Sequence, residues 1–207
     1  MLEQAGAALR AGIGNVGAVG EDGAAGRVGG SQFCQDFSLS EPERYNQGME
    51  PTPLQKATFA AGCFWGVEAT FRRLAGVKST QVGYIGGRLD HPSYEQVCTD
   101  RTGHAEAVEV TYDPAVISFH DLLDVFWNNH NPTTLNRQGP DVGTQYRSAI
   151  FYHSPEQEVE AKASRDAAQA QFSKPIVTQI EPAPAFWPAE EYHQQYLEKR
   201  GLAHCHL

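Results

Sequence analysis

The chain is 207 residues long, which suits one domain of roughly 150 residues carrying an extension. A formal charge of -9 at pH 7 argues against duplex DNA or anionic lipid as the main partner, because both require a basic surface. No stretch approaches the roughly 18 apolar residues of a membrane span, and glycine breaks the segment after Arg10 too often for a secretory signal.

These exclusions point to a cytoplasmic protein. It is expected to be a monomer, since no extra apolar surface is evident. Four scattered cysteines (Cys34, Cys63, Cys98 and Cys205) are too few for a disulfide scaffold. In a reducing compartment a cysteine pair that does bond is catalytic more often than structural.

In chain order, residues 1–50 read as a Gly/Ala-rich flexible extension and irregular lead-in. Nine of the twenty glycines fall in the first thirty positions, with few large apolar side chains among them. A catalytic domain is expected over 51–200, followed by a mobile C-terminal segment, 201–207, that carries Cys205. Ala57-Thr58-Phe59-Ala60-Ala61-Gly62 reads as a short buried strand. A helix follows, with Val67, Phe71 and Leu74 on one face. Lys78 to Tyr84 predicts a second strand closed by Gly86-Gly87, and Glu106 to Tyr112 a third, ended by Asp113-Pro114.

Ser118 caps a predicted amphipathic helix whose apolar face is Phe119, Leu122, Leu123, Phe126 and Trp127. Residues 128–147 form a polar loop of the kind that carries function. Ser148 to His153 is a fourth strand, and Ser154-Pro155-Glu156 opens a long helix. Ile176 to Ile180 reads as a further strand, and Glu190 to Lys199 as a final short helix. Strands and helices alternate without a long parallel pattern. The expected fold is therefore α+β, a two-layer sandwich with a mixed β-sheet packed by helices.

Cys63 stands at a strand-to-helix junction. There the unpaired backbone N–H groups and the positive end of the helix dipole stabilise a thiolate, so a lowered thiol pKa is expected. Glu68, read as lying in the first turn, would oppose that slightly. On position alone a small buried hydrophobe remains an equal reading of Cys63.

Gly62-Cys63-Phe64-Trp65-Gly66 resembles the signature of the peptide methionine sulfoxide reductases of type A, the class specific for the S sulfoxide. The likeness continues through Gly103-His104-Ala105-Glu106-Ala107-Val108, Gly143-Thr144-Gln145-Tyr146-Arg147-Ser148 and His193-Gln194-Gln195-Tyr196. It implies reduction of free and protein-bound methionine sulfoxide, with Cys63 as nucleophile.

A sulfoxide oxygen leaves poorly until protonated, so the site needs an acid beside the nucleophile. Strand parity puts Glu106 on one face with Val108, Val110 and Tyr112, and Glu109 on the other. A carboxyl on the apolar face loses hydration and stays protonated near neutrality. The resemblance matches Glu106 to the family's acid. It matches Tyr94 and Tyr146 to the tyrosines that help hold the oxygen, and Phe64, Trp65 and Tyr146 to the box around the substrate methyl. Asp141 and His193 match contacts to the substrate main chain.

Cys205 resembles the resolving cysteine that turns the sulfenic acid into a disulfide, with thioredoxin or dithiothreitol as reductant and no metal or organic cofactor. The chain departs from many relatives by ending at Leu207, two residues beyond it. Cys98 reads as structural, and Cys34 has no assigned role.

Other readings remain open from the residues alone. His204-Cys205-His206 offers metal ligands, although adjacent residues cannot readily supply three tetrahedral positions. A cysteine hydrolase pairing Cys63 with His104 or His193 is a second, and a non-catalytic binder of methionine-rich surfaces a third.

Overall fold

A computed structural model of the chain describes residues 52–202. The expectations for the extension, Cys34 and the His204-Cys205-His206 run lie outside the described residues. The chain begins with β1 (Gln55–Ala61), whose buried Ala57-Thr58-Phe59-Ala60-Ala61 is small enough to be covered on both faces. Helix α1 (Phe64–Phe71) follows after Gly62 and Cys63. Strand β2 (Val77–Ile85), the single turn α2 (Tyr94–Val97) and β3 (Ala105–Tyr112) complete the first half.

In the second half, α3 (Phe119–Asn128) leads to a two-residue hairpin, β4 (Arg137–Gln138) and β5 (Asp141–Val142). Then come β6 (Ser148–Tyr152), α4 (Pro155–Ala168), β7 (Gln179–Pro182), β8 (Phe186–Pro188) and α5 (Tyr196–Lys199). Six strands form one mixed sheet in the order β7-β6-β1-β3-β2-β8, antiparallel except for the β6–β7 pair. This is the α+β sandwich expected from the sequence.

The sheet has a large apolar face and a small one. Phe59, Val82, Tyr84, Val108, Val110, Tyr112 and Ile150 join the buried faces of α1, α3 and α4 in the larger cluster. Phe59 is its centre, stacked at 4.8 Å on Phe71 and lying 5.4 Å from Phe126, so β1, α1 and α3 meet at one ring. The opposite face is lined by Ala60, Ala105, Ala107 and Ala149 with Ile85 and Phe151, side chains mostly too short to need a helix over them. Strand β3 alternates between the faces, which sends Glu106 to the side of the larger cluster, as parity predicts.

Local chemistry sets the helix starts. The Ser118 hydroxyl accepts from the Asp121 N–H at 3.1 Å while the Asp121 carboxylate accepts from the Ser118 N–H at 2.9 Å, a complete capping box. Ser154 caps α4, with Pro155 in its first turn. The Trp127 indole N–H donates to Ser164 Oγ at 2.6 Å and ties α3 to α4.

Two expectations need correction, and one strand was not foreseen. The strand read over 176–180 is displaced to Gln179–Pro182, because the Ile176 and Val177 amides bond to Gln169 and Pro132 before sheet pairing begins. The helix read over 190–199 is only Tyr196–Lys199, since Gln195 takes a left-handed conformation at φ 53° and residues 190–194 form tight turns. Strand β8, ringed by Pro182, Pro184 and Pro188, gave no strand signal. It survives as an edge strand, where proline is tolerated.

Candidate active site

Cys63 occupies the N-cap of α1, half-buried, with no side-chain hydrogen bond closing the cap and no acidic residue in the first turn. Gly62 makes the junction possible. Its φ of +95° is strained for any side chain, and a Cβ would lie 2.7 Å from the Gln138 side chain. Glu68 is not in the first turn, because the helix begins at Phe64. Its buried carboxylate accepts instead from the Gln195 N–H at 2.7 Å and from Thr80 Oγ1 at 3.0 Å, binding α1 to β2 and to the C-terminal segment. Burial raises the Glu68 pKa, only partly offset by those two bonds.

Glu106 lies directly beside the cysteine. Its Oε2 accepts the Phe64 backbone N–H at 3.2 Å, in a position only 1 % exposed. Burial pushes its pKa up to about 8, against the Phe64 bond, with the nearby Asp141 charge adding to the rise. The carboxyl is therefore protonated at neutral pH.

Two tyrosines approach from separate elements. Tyr94 opens α2, whose Ser93 cap and Gln96 form a complete capping box. Tyr146 sits in a short 3-10 turn, Thr144–Tyr146, after the β4–β5 hairpin that carries half-buried Asp141. That loop is pinned at several points. His130 reaches the Phe126 carbonyl at 2.8 Å and Ser148 Oγ at 2.7 Å, and the Thr144 N–H donates to Asp100 at 2.7 Å. Burial raises the Tyr146 hydroxyl to about 12, and the charges of Glu106, Asp141, Cys98 and Cys63 add to the shift. Burial also raises Tyr94, with the neighbouring Cys98 and the charge of Glu106 adding to the shift. Cys63, Glu106, Tyr94, Tyr146 and Asp141 are thus brought together.

Cys98 ends α2 with an exposed side chain, in contact with Tyr94.

The aromatic wall is built around His193. Phe64 is buried, with its ring 5.1 Å from that imidazole. The Trp65 indole N–H donates to His193 Nδ1 at 3.0 Å, and the Trp65 ring stacks on Tyr196 at 3.7 Å. Tyr94 lies 4.5 Å from the same imidazole, centroid to centroid. At 1 % exposure His193 is buried beneath the aromatic wall rather than standing on the surface. Burial lowers its pKa, so the ring is neutral.

Three participants escaped the sequence reading. Glu190 accepts from the Tyr94 N–H and from the Tyr84 hydroxyl, both at 2.9 Å. The Gln194 side chain bonds both the N–H and the carbonyl of Val82 at 2.9 Å, extending the sheet edge beyond β8. Tyr196 stacks on Trp65. The last two lie in the His193-Gln194-Gln195-Tyr196 run, which is the signal that pointed nearest to them.

Among the described residues neither histidine of the hydrolase reading is hydrogen-bonded to Cys63. His104 accepts the Gly87 N–H at Nδ1 and engages the Leu89 carbonyl at Nε2, while His193 spends Nδ1 on Trp65 and has no hydrogen-bond partner at Nε2. Among the described residues no group of three or more His, Cys, Asp or Glu side chains could hold a metal ion.

The family model described as peptide methionine sulfoxide reductase matches residues 55–207. A peptide methionine sulfoxide reductase MsrA from Methanoculleus marisnigri is 62% identical over 154 residues, covering 73% of this chain and 94% of that protein. Reduced Mxr1 from Saccharomyces cerevisiae superposes with a TM-score of 0.71 at 39% identity, over 75% of this chain and 91% of that one. Mxr1 in complex with Trx2 matches with a TM-score of 0.51 at 27% identity, over 72% of this chain and 91% of that one.

Proposed function

Because the chain belongs to the peptide methionine sulfoxide reductases of the MsrA type, we propose that Cys63 is its nucleophile and Glu106 its acid. The enzyme reduces methionine sulfoxide in peptides and proteins. The observation that carries the assignment is the 3.2 Å bond from the Phe64 N–H to Glu106, which seats a protonated carboxyl next to a helix-start cysteine.

In the first step the Cys63 thiolate attacks the sulfoxide sulfur. Glu106 passes its proton to the oxygen through Oε1, while Oε2, as the carbonyl oxygen, keeps the Phe64 N–H. The S–O bond breaks as the Cys63 sulfur bonds the substrate sulfur. The hydroxide so released adds to the Cys63 sulfur, breaking the S–S bond, so that methionine departs as its thioether and Cys63 is left as a sulfenic acid. Tyr94 and Tyr146 remain protonated far above neutral pH and orient the oxygen as donors. The aromatic wall of Phe64 and Trp65 takes the substrate methyl, and Asp141 at the hairpin meets the substrate main chain. His193, buried under that wall, acts through Trp65 unless the wall opens.

The sulfenic acid then condenses with the Cys205 thiol, releasing water and leaving a disulfide. A thioredoxin reduces that disulfide by exchange. The Mxr1–Trx2 complex supports this partner. The reading includes free methionine sulfoxide as a substrate, a monomer in a reducing cytoplasm, and catalysis by side chains and thiol exchange alone.

The test is incubation of racemic N-acetylmethionine sulfoxide with dithiothreitol, followed by chiral chromatography. Loss of the S epimer alone, abolished by Cys63→Ser, is the expected result. Consumption of neither epimer by folded, reduced protein would refute the site assignment.

A further inference from the structure

We propose that Glu190 is a positioning residue, one carboxylate that fixes Tyr94 directly and Trp65 through the tautomer of His193. The proposal rests on the site assignment above and deepens it. Glu190 follows edge strand β8 by two residues, and its side chain is 35% exposed. Oε1 accepts the Tyr94 N–H at 2.9 Å, one of the backbone donors left unpaired at the start of α2. Oε2 accepts the Tyr84 hydroxyl at 2.9 Å, which anchors the carboxylate to the fully buried end of β2.

The link to Trp65 runs through a proton. His193 accepts the indole N–H at Nδ1, so a neutral ring must carry its own proton on Nε2. That nitrogen is buried without a hydrogen-bond partner and lies 3.9 Å from Glu190 Oε2. The distance is too long for a hydrogen bond, yet a negative charge there favours the tautomer with hydrogen on Nε2. The opposite tautomer would point an N–H at the Trp65 N–H and break the contact. Burial tends to raise the Glu190 carboxyl, but the bonds from the Tyr94 N–H, from its own backbone N–H and from the Tyr84 hydroxyl outweigh it and lower its pKa.

Glu190→Gln separates the two functions. Its amide oxygen can keep the Tyr94 N–H, and its NH2 can donate to the Tyr84 hydroxyl, but the charge facing His193 is lost. Two measurements on the full chain are paired: kcat and KM for N-acetylmethionine (S)-sulfoxide, and the Trp65 indole 15N–1H resonance, assigned with Trp65→Phe. For Glu190→Gln the expected result is a shifted Trp65 resonance and a KM raised about tenfold, with kcat and Tm nearly unchanged.

Glu190→Ala, which also frees Tyr94, should lower kcat as well, for a loss in kcat/KM of about a hundredfold. An unmoved Trp65 resonance in both variants overturns the proposal, as does activity that falls only with the folded fraction. If the native enzyme itself proves inactive, the site assignment fails, while the resonance still decides whether Glu190 governs Trp65.

Discussion

The Phe64 backbone N–H and Glu106 Oε2 meet at 3.2 Å although 42 positions separate them in sequence. The bond joins the first residue of α1 to the side chain of the second residue of β3, and so holds the acid against the backbone amide that follows the nucleophile. Burial holds the Glu106 pKa near 8, and the acid must be protonated to act. The kcat/KM profile should therefore fall as pH rises through about 8. Glu106→Gln, which can still accept from Phe64, should lose about 10²- to 10⁴-fold in kcat with its fold intact. A profile that stays flat to pH 10 in the native enzyme would remove Glu106 from the acid role.

The same group makes a stability prediction of defined sign. Its folded pKa is raised, so the folded state binds the extra proton. The stability it contributes is present below the ordinary carboxyl value of 4.5 and lost as pH rises through about 8. Glu106→Gln removes that dependence. In chemical denaturation its stability relative to the native chain should grow from pH 5 to pH 8, by up to about 1.4 kcal/mol per pH unit, then level off. A constant difference across that range would contradict a buried, protonated Glu106.

How much of this was legible beforehand depends on whether a residue's role is local. β3 could be read with its parity because Glu106, Val108, Val110 and Tyr112 alternate strictly within eight residues. The helix of Ser118 and Phe119 was equally plain, since its cap and apolar stripe are both local. Glu190 and Gln194 were not legible, because their partners Tyr94, Tyr84 and Val82 lie about 100 residues away and nothing near them in sequence specifies those bonds. β8 was hidden for a related reason: its prolines argue against a strand, and only the glycine opposite them on β2 makes room for it.

That glycine is Gly83, paired with Pro188. A Cβ there would lie 2.4 Å from the Trp187 carbonyl and 2.6 Å from the Phe186 ring. A backbone oxygen cannot move aside as a side-chain tip can, so Gly83→Ala should push β8 off the sheet edge. The expected cost is about 1–3 kcal/mol in urea denaturation. Glu190 lies two residues after β8, so KM should rise together with the loss of stability. A variant with native stability and native KM would mean that β8 contributes nothing to holding the site.

The last prediction separates the two cysteines of the proposed cycle. Attack by Cys63 needs no second thiol, so Cys205→Ser mixed with excess sulfoxide and no reductant should still yield one methionine per enzyme. Mass spectrometry should then find one added oxygen at Cys63, where the native chain shows loss of two hydrogens. Dithiothreitol can reduce a sulfenic acid directly and should sustain turnover of the variant. A thioredoxin requires a disulfide to exchange with, and should sustain at most a few per cent of native turnover. Native rates with thioredoxin would instead assign resolution to another thiol. Cys98 is then the first to test by Cys98→Ser, since its exposed sulfur already contacts Tyr94 within the site.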